Sequence, residues 1–388
     1  MTMLCLAGDV MTGRGIDQVL PHPGDPTLNE PHVRDARYYV YAAERRHGTI
    51  PRPVTYSWPW GRALRVVTAL EPDACVLNLE TAVTAGDDFA VGKAVCYRMN
   101  PGNLRAVLMP RPDVCVLANN HVLDFGARGL IDTLAVLKSA GVATAGAGRT
   151  ATEAARPAVV RVRHGHRVVV FAAATESSGV PTAWAATPGR PGVRLLADLS
   201  SGTAHDIATE IASVKRFGDV VVFSVHWGSN WGYQVPPAHV EFAHRLVAAG
   251  ADVVHGHSSH HPRPVEIYHG KPIFYGCGDL INDYEGIGGF EDYRDELRLL
   301  YFPSFDEHGV LTELRMLPLR AERFRLRAAD PGDAAWLRET LARISAAFGT
   351  RISRTADGML VARHHAVADT GEAALFDPVT FGDAPDAL

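Results

Sequence analysis

What this chain lacks narrows its class before any motif is considered. It has no surplus of basic charge: 38 Lys and Arg stand against 43 Asp and Glu, a formal net charge of −5, so no nucleic-acid partner is expected. No apolar run approaches the roughly 18 residues that span a bilayer, which argues against a membrane partner. The opening MTMLCLAGDVMTGRG carries no cationic leader and is expected to be a first strand, not a signal peptide. Cysteine is sparse. The five (Cys5, Cys75, Cys96, Cys115 and Cys277) form no CxxC pair, and three sit inside apolar runs, which suits a reducing, cytoplasmic setting. Internal repeats and clear linkers are also missing, so one layered α/β domain with appendages is the simplest organisation.

What is present is a series of short apolar runs separated by helix-length segments. Strands are expected at 4–7, 74–77, 114–118, 142–145, 220–225 and 251–254, with hairpins at 159–173 and 267–275 and closing strands at 297–302 and 310–317. Apolar stripes predict helices over 63–70, 103–109, 130–140, 204–217, 240–249 and 336–348, several stopped by glycine. The segment 20–60, rich in Pro, His, Arg and Tyr, is an irregular insertion with a short helix over 38–46, and a candidate for substrate recognition. Residues 1–320 would form the catalytic domain with that insertion; 321–388 would form a helical appendage and a mobile tail.

Residues 251–264, ADVVHGHSSHHPRP, place His255, His257, His260 and His261 just after an apolar run. Alone, the stretch fits a metal or proton-transfer site as well as a His-rich surface loop. Four other runs decide between them, because they end in Asp9, Glu80, Asn120 with His121, and His226. In an open α/β sheet such ends converge on one rim. Carboxylates, a carboxamide and imidazoles together suit Mn²⁺, Fe²⁺, Zn²⁺ or Ca²⁺.

The ordered series GDVMTGR, NLETAVT, ANNHVLDFG, SVHWG and GADVVHGHSSHHP resembles the CapA-type, poly-γ-glutamate synthesis branch of the calcineurin-like metallophosphoesterase superfamily, over about residues 3 to 300. The resemblance implies a four-layer α/β/β/α sandwich with two facing mixed sheets. It implies metal ligation by Asp9, Glu80, Asn120, His226, His257 and His260, with His121 as general acid/base. The chain departs from the pattern where the superfamily has Asp-x-His, because Met11 fills the third position. One tightly held divalent ion is therefore expected.

Three activities fit the resemblance. Phosphoester hydrolysis is the superfamily's default. Polyglutamate assembly follows from the branch name but is disfavoured, since such relatives typically carry a membrane anchor. The third is acid/base chemistry on a peptide, as in CapA-like epimerases that invert the C-terminal residue of a lasso-peptide precursor. The departures favour the third, with a precursor peptide as partner. His121, Asp9, His257, His255, Asp124 and Asp279 would then be catalytic. Asp124 fits a turn cap equally well, and Asp279 fits a role binding backbone amides. Arg14, Arg98 and Arg263 are candidates to grip a terminal carboxylate, each as readily a surface charge. Trp227 and Trp231 are candidates to line the pocket, with core packing the job of at least one. A non-enzymatic binding module ranks last, since it would not require so many ligand-type residues.

Overall fold

In the computed structural model, which describes residues 1–364, the architecture follows from period-two burial. Along the strand Arg167–Ala174, Val168, Val170 and Ala172 enter one apolar core while Val169, Phe171 and Ala173 enter another. The strand Val220–His226 alternates likewise, Val220 and Val222 on one side and Val221, Phe223 and Val225 on the other. Strands apolar on both faces must be covered on both. Helices Ser201–Val214 and Pro237–Ala248 cover one face with Ile207, Ile211, Phe242 and Leu246. A second sheet covers the other.

That second sheet has ten strands. Thr2–Val10 lies inside it, parallel to Ala74–Leu79 and antiparallel to Leu297–Phe305. Val114–Val116 and Ala143–Ala145 continue the parallel side. The facing sheet has six strands, with Val220–His226 between its parallel neighbours Arg167–Ala174 and Val253–His257. Helices Gly61–Leu70 and Gly126–Ser139 bury Ala63, Val67, Leu130 and Leu137 in the large core of the ten-stranded sheet. The molecule is thus the expected layered α/β sandwich of two facing mixed sheets. Among the described residues no helix is long and apolar enough to cross a membrane. All five cysteines are buried free thiols, Cys5 opposite Cys75 on adjacent strands.

Three elements differ from their expected form. The helix expected over 103–109 is a 3-10 turn, Pro101–Ala106, capped by the Asn100 side chain. The helix expected to begin at 336 begins at Pro331, because the Asp330 carboxylate accepts from the Asp333 amide and Pro331 suits a first turn. Residues assigned to a helical appendage also include Thr350–Arg354 and Leu360–His364, two strands that extend the ten-stranded sheet through Leu311–Ala321. The tail expected beyond about 366 lies outside the described residues.

Candidate metal centre

The same alternation aims the histidines. Ser224 and His226 share a strand face with Val220 and Val222, and His255 and His257 share one with Val253, so all point between the sheets. From the opposite sheet comes Asp9, near the end of Thr2–Val10. Asp279 stands in register beside it on the parallel strand Asp279–Ile281. Glu80 follows Ala74–Leu79 directly, and Asn120 and His121 lie beyond Val114–Val116.

Two donor sets result. Ligand atoms of Asp9, His226 and His257 lie within 4.8 Å of one another, and so do those of Asp9, His260 and Asp279. His226 Nδ1 and His257 Nδ1 are 2.7 Å apart, and His257 Nδ1 is 3.7 Å from Asp9 Oδ1. Asp9 belongs to both sets. The single-ion expectation rested on Met11, which is indeed buried and supplies no hard ligand. In place of the missing imidazole, Asp279, on a strand remote in sequence, completes a second donor set, so the donors suffice for two positions. Glu80 belongs to neither set: its Oε1 is 3.9 Å from both His121 Nε2 and His226 Nε2. Asn120 offers Oδ1 3.1 Å from His226 Nε2.

Neutral amides and a hydroxyl hold this cluster in place. Asn78 Nδ2 donates to Asp9 Oδ1 at 2.7 Å and to Glu80 Oε2 at 2.8 Å, and Asn119 Nδ2 donates to Asn78 Oδ1 at 2.9 Å. Ser224 Oγ lies 2.9 Å from His257 Nε2 and 3.1 Å from His255 Nδ1. The Ser258 amide donates to Asp9 Oδ2 at 3.2 Å, from a backbone held at φ 106, where a residue with a Cβ is strained. Asp279 Oδ1 meets His260 Nδ1 at 3.0 Å while its Oδ2 accepts from Asn282 at 2.5 Å. His121 Nδ1 meets Asp124 Oδ2 at 2.6 Å, and that oxygen also accepts the Tyr97 amide. Asp124 therefore orients an imidazole.

The electrostatics test whether a cation fits. Burial, and then the Asp279 carboxylate, push Asp9 up to about 7. Burial and the Asp9 carboxylate push Glu80 well above the carboxylate range. Burial pulls His226 and His257 well below the usual imidazole value and His121 to about 4. At His260 burial also pulls downward, but Asp279 and then Asp9 outweigh it and the imidazole ends above its usual value. Crowded buried carboxylates beside neutral imidazoles form a donor set that a divalent cation would relieve. The residues fit a divalent metal.

Beside this cluster lies a cavity of about 130 Å³ lined by Glu80, Lys93, Asn120, His121, Ser258 and His260, among others. His255 is fully buried and not among its lining residues, and Ser224 Oγ links it to His257. His261 is also buried, stacked on Tyr293. The three expected carboxylate-gripping arginines are spent internally, because each bonds to groups of the protein itself. Arg14 forks onto Asp283 at 2.8 and 2.6 Å and reaches Glu30 at 3.1 Å. Arg98 donates to the Gly86 and Asp25 carbonyls. Arg263 donates to the Gln234, Ser229 and Trp231 carbonyls. Trp227 is core, stacked on His239 at 4.5 Å, whereas Trp231 stacks on Phe290 and reaches His260 at 5.3 Å.

Sequence reasoning missed Lys93, whose Nζ donates to the Asn120 carbonyl at 2.6 Å and lies 3.4 Å from Asp124 Oδ1. It sits in no motif and no apolar run, so no local signal marks it. Asn78 and Asn119 lie inside the motifs NLE and ANNH and could have been found by asking what holds two buried acids apart.

Fold and site together define a layered α/β protein with a buried carboxylate–imidazole cluster between two sheets that could hold a divalent metal. The chain belongs to the bacterial capsule synthesis protein family PGA_cap, whose family model matches residues 3–284. A Mycobacterium tuberculosis protein named probable polyglutamine synthesis accessory protein is 55% identical over 357 residues, 92% of this chain and 94% of that one. The PGA biosynthesis protein CapA of Bacillus subtilis is 25% identical over 297 residues, 76% of this chain and 66% of its own length. Among solved structures, the 5'-nucleotidase precursor from Thermus thermophilus aligns over 88% of this chain and 58% of its own, with 15% identity and a TM-score of 0.46.

Proposed function

We propose that this protein is a metal-dependent hydrolase acting on an anionic, glutamate-rich polymer during capsule-type polymer synthesis. The observation that carries this reading is that one cavity is lined both by His260, a member of the donor sets sharing Asp9, and by His121, which Asp124 holds. A divalent cation held by Asp9, His226 and His257, or by Asp9, His260 and Asp279, would polarise the scissile group and acidify water. Asp124 binds Nδ1 of His121, which leaves Nε2 to exchange a proton with the substrate. Lys93 brings positive charge to the cavity wall, where an anionic group would enter. Family membership and relatives named for polyglutamine synthesis and PGA biosynthesis support a role in capsule-type polymer synthesis.

A second reading keeps the expected peptide epimerase acting on a precursor's C-terminal residue. It is supported by two imidazole–carboxylate pairs, His121–Asp124 and His260–Asp279, whose imidazoles line one cavity. One experiment separates the two. The protein is incubated in D₂O with Mn²⁺ or Zn²⁺ and either poly-γ-glutamate or candidate peptides. New chain ends are expected. Deuterium at one Cα without cleavage would replace the hydrolase by the epimerase, and turnover of a nitrophenyl phosphate with the polymer intact would remove the polymer.

A further inference from the structure

One buried cation has less than it needs. Arg298, near the start of the strand Leu297–Phe305, is only 2% exposed. Its Nη2 donates to Asn282 Oδ1 at 2.9 Å, but Nε and Nη1 are buried without any hydrogen-bond partner. It forms no ion pair among the described residues. Arg14, equally buried, is paired with two carboxylates, and Arg263, which makes no ion pair either, has both its Nη atoms bonded and only Nε without a partner. Burying a guanidinium without a counter-charge costs several kcal/mol, and an exception in a folded protein calls for an explanation.

Arg298 lines a second, smaller cavity together with Arg46, Asn282, Tyr284 and Asp295. Tyr284 lines the main cavity as well, so the two spaces share one wall. Two further acids on the wall are already engaged. Glu285 accepts the Arg323 and Phe324 amides, and Glu296 accepts Arg294. Asp295 is the remaining acid; it feels the charge of Arg298 but makes no ion pair or hydrogen bond with it among the described residues. Arg298 thus stands on the wall of this small space with two buried N–H groups unpaired, charge-assisted donors that an oxyanion entering it could take.

We infer that Arg298 is a carboxylate-binding subsite that takes one carboxylate of the anionic polymer while a neighbouring unit occupies the main cavity. The inference rests on the polymer substrate proposed above. Asn282 joins the two sites, since it accepts from Arg298 and donates to Asp279. An occupant at Arg298 would thus also steady the Asp279 carboxylate.

Binding to the metal-free protein tests this without turnover. Calorimetric titrations would use a γ-linked glutamate tetramer, the same tetramer with its α-carboxylates amidated, and inorganic phosphate. Wild type is expected to bind the tetramer at least ten-fold more tightly than its amide. Arg298→Gln should bind both equally weakly, Arg298→Lys should recover part of the difference, and Asp295→Asn should not weaken the tetramer. If circular dichroism shows Arg298→Gln unfolded, Arg298→Lys and the amidated ligand on wild type decide. Equal affinity of wild type for tetramer and amide overturns the inference, as does undiminished discrimination in a folded Arg298→Gln or a preference for phosphate over the tetramer. Cleavage of the polymer with no dependence on Arg298 would overturn this subsite alone. Arg298-dependent binding without cleavage would leave it standing and overturn the hydrolase.

Discussion

Asn78 keeps two acidic groups in place that would otherwise push each other apart. It donates from one nitrogen to both Asp9 and Glu80 while Asn119 holds its oxygen. Asn78→Leu would leave two buried carboxylate oxygens without this donor, while Asn119 keeps the Leu79 carbonyl, so a loss of about 1–3 kcal/mol in unfolding free energy is expected. Metal affinity should fall about 10–100-fold, as when other groups orienting a ligand are removed. Denaturant unfolding and metal titration measure these separately, and unchanged affinity would take Asn78 out of the centre. Asp124 poses a sharper test, because it touches His121 and no metal donor. Asp124→Asn should lower kcat by about 10²–10⁴ with KM little changed, since it removes the carboxylate that orients the imidazole. A KM effect alone would point to substrate binding instead.

Among the elements, the Thr2–Val10 strand needs a glycine directly before its metal-facing aspartate. A Cβ at Gly8 would lie 1.9 Å from the Gly278 carbonyl oxygen, which is backbone and cannot swing away. Gly8→Ala should therefore push this strand off Asp279–Ile281 and part Asp9 from Asp279. About 1–3 kcal/mol of stability should go with it, as for other overpacked sites. The specific expectation is selective damage to the Asp9–His260–Asp279 set. A variant that still binds metal with wild-type stoichiometry and affinity would show that the close approach does not matter.

For the whole molecule, acid is the vulnerable direction. His239, packed under Trp227, is pulled to about 4 by burial and by Arg263. The unfolded chain takes up that proton near the ordinary imidazole value of about 6.5. Between these values the unfolded state binds more protons, so stability is complete above about 6.5 and is lost as pH falls toward 4. His239→Gln should flatten part of this decline in urea titrations at pH 7 and 4.5; a parallel curve would exclude His239 as a contributor. A metal acts in the opposite sense. A ligand that binds only the native state at 100 times its Kd adds about 2.7 kcal/mol, so chelation should lower Tm and Mn²⁺ or Zn²⁺ should restore it. A Tm indifferent to chelator and metal would remove the metal centre.

Much of the fold was legible because its signals are local. An apolar run that breaks into Asp9, Glu80, Asn120, His226 or His257 marks a strand end whatever surrounds it, and period-two alternation sends those side chains to a common space. The helix at Pro331–Ser345 was misjudged at its start because Asp330–Pro331 reads as a turn until the capping bond is seen. Less of the site was legible, because partners are chosen across the sandwich. Arg14 finds Asp283, 269 positions away, and so cannot grip a substrate. His255 and His257 share one strand face, yet only His257 comes within reach of Asp9 and His226.

The chemistry was thus determined by the sequence itself: carboxylates, amides and imidazoles at strand ends suit a divalent metal in any packing that brings those ends together. Only the tertiary structure decided which of them share an ion. Asp279 takes up the role that Met11 cannot, Glu80 withdraws to the edge, and Arg298 is left with free N–H groups. The physical reason is that a ligand or a counter-charge acts over a few ångströms, and only the pairing of two facing sheets sets those distances.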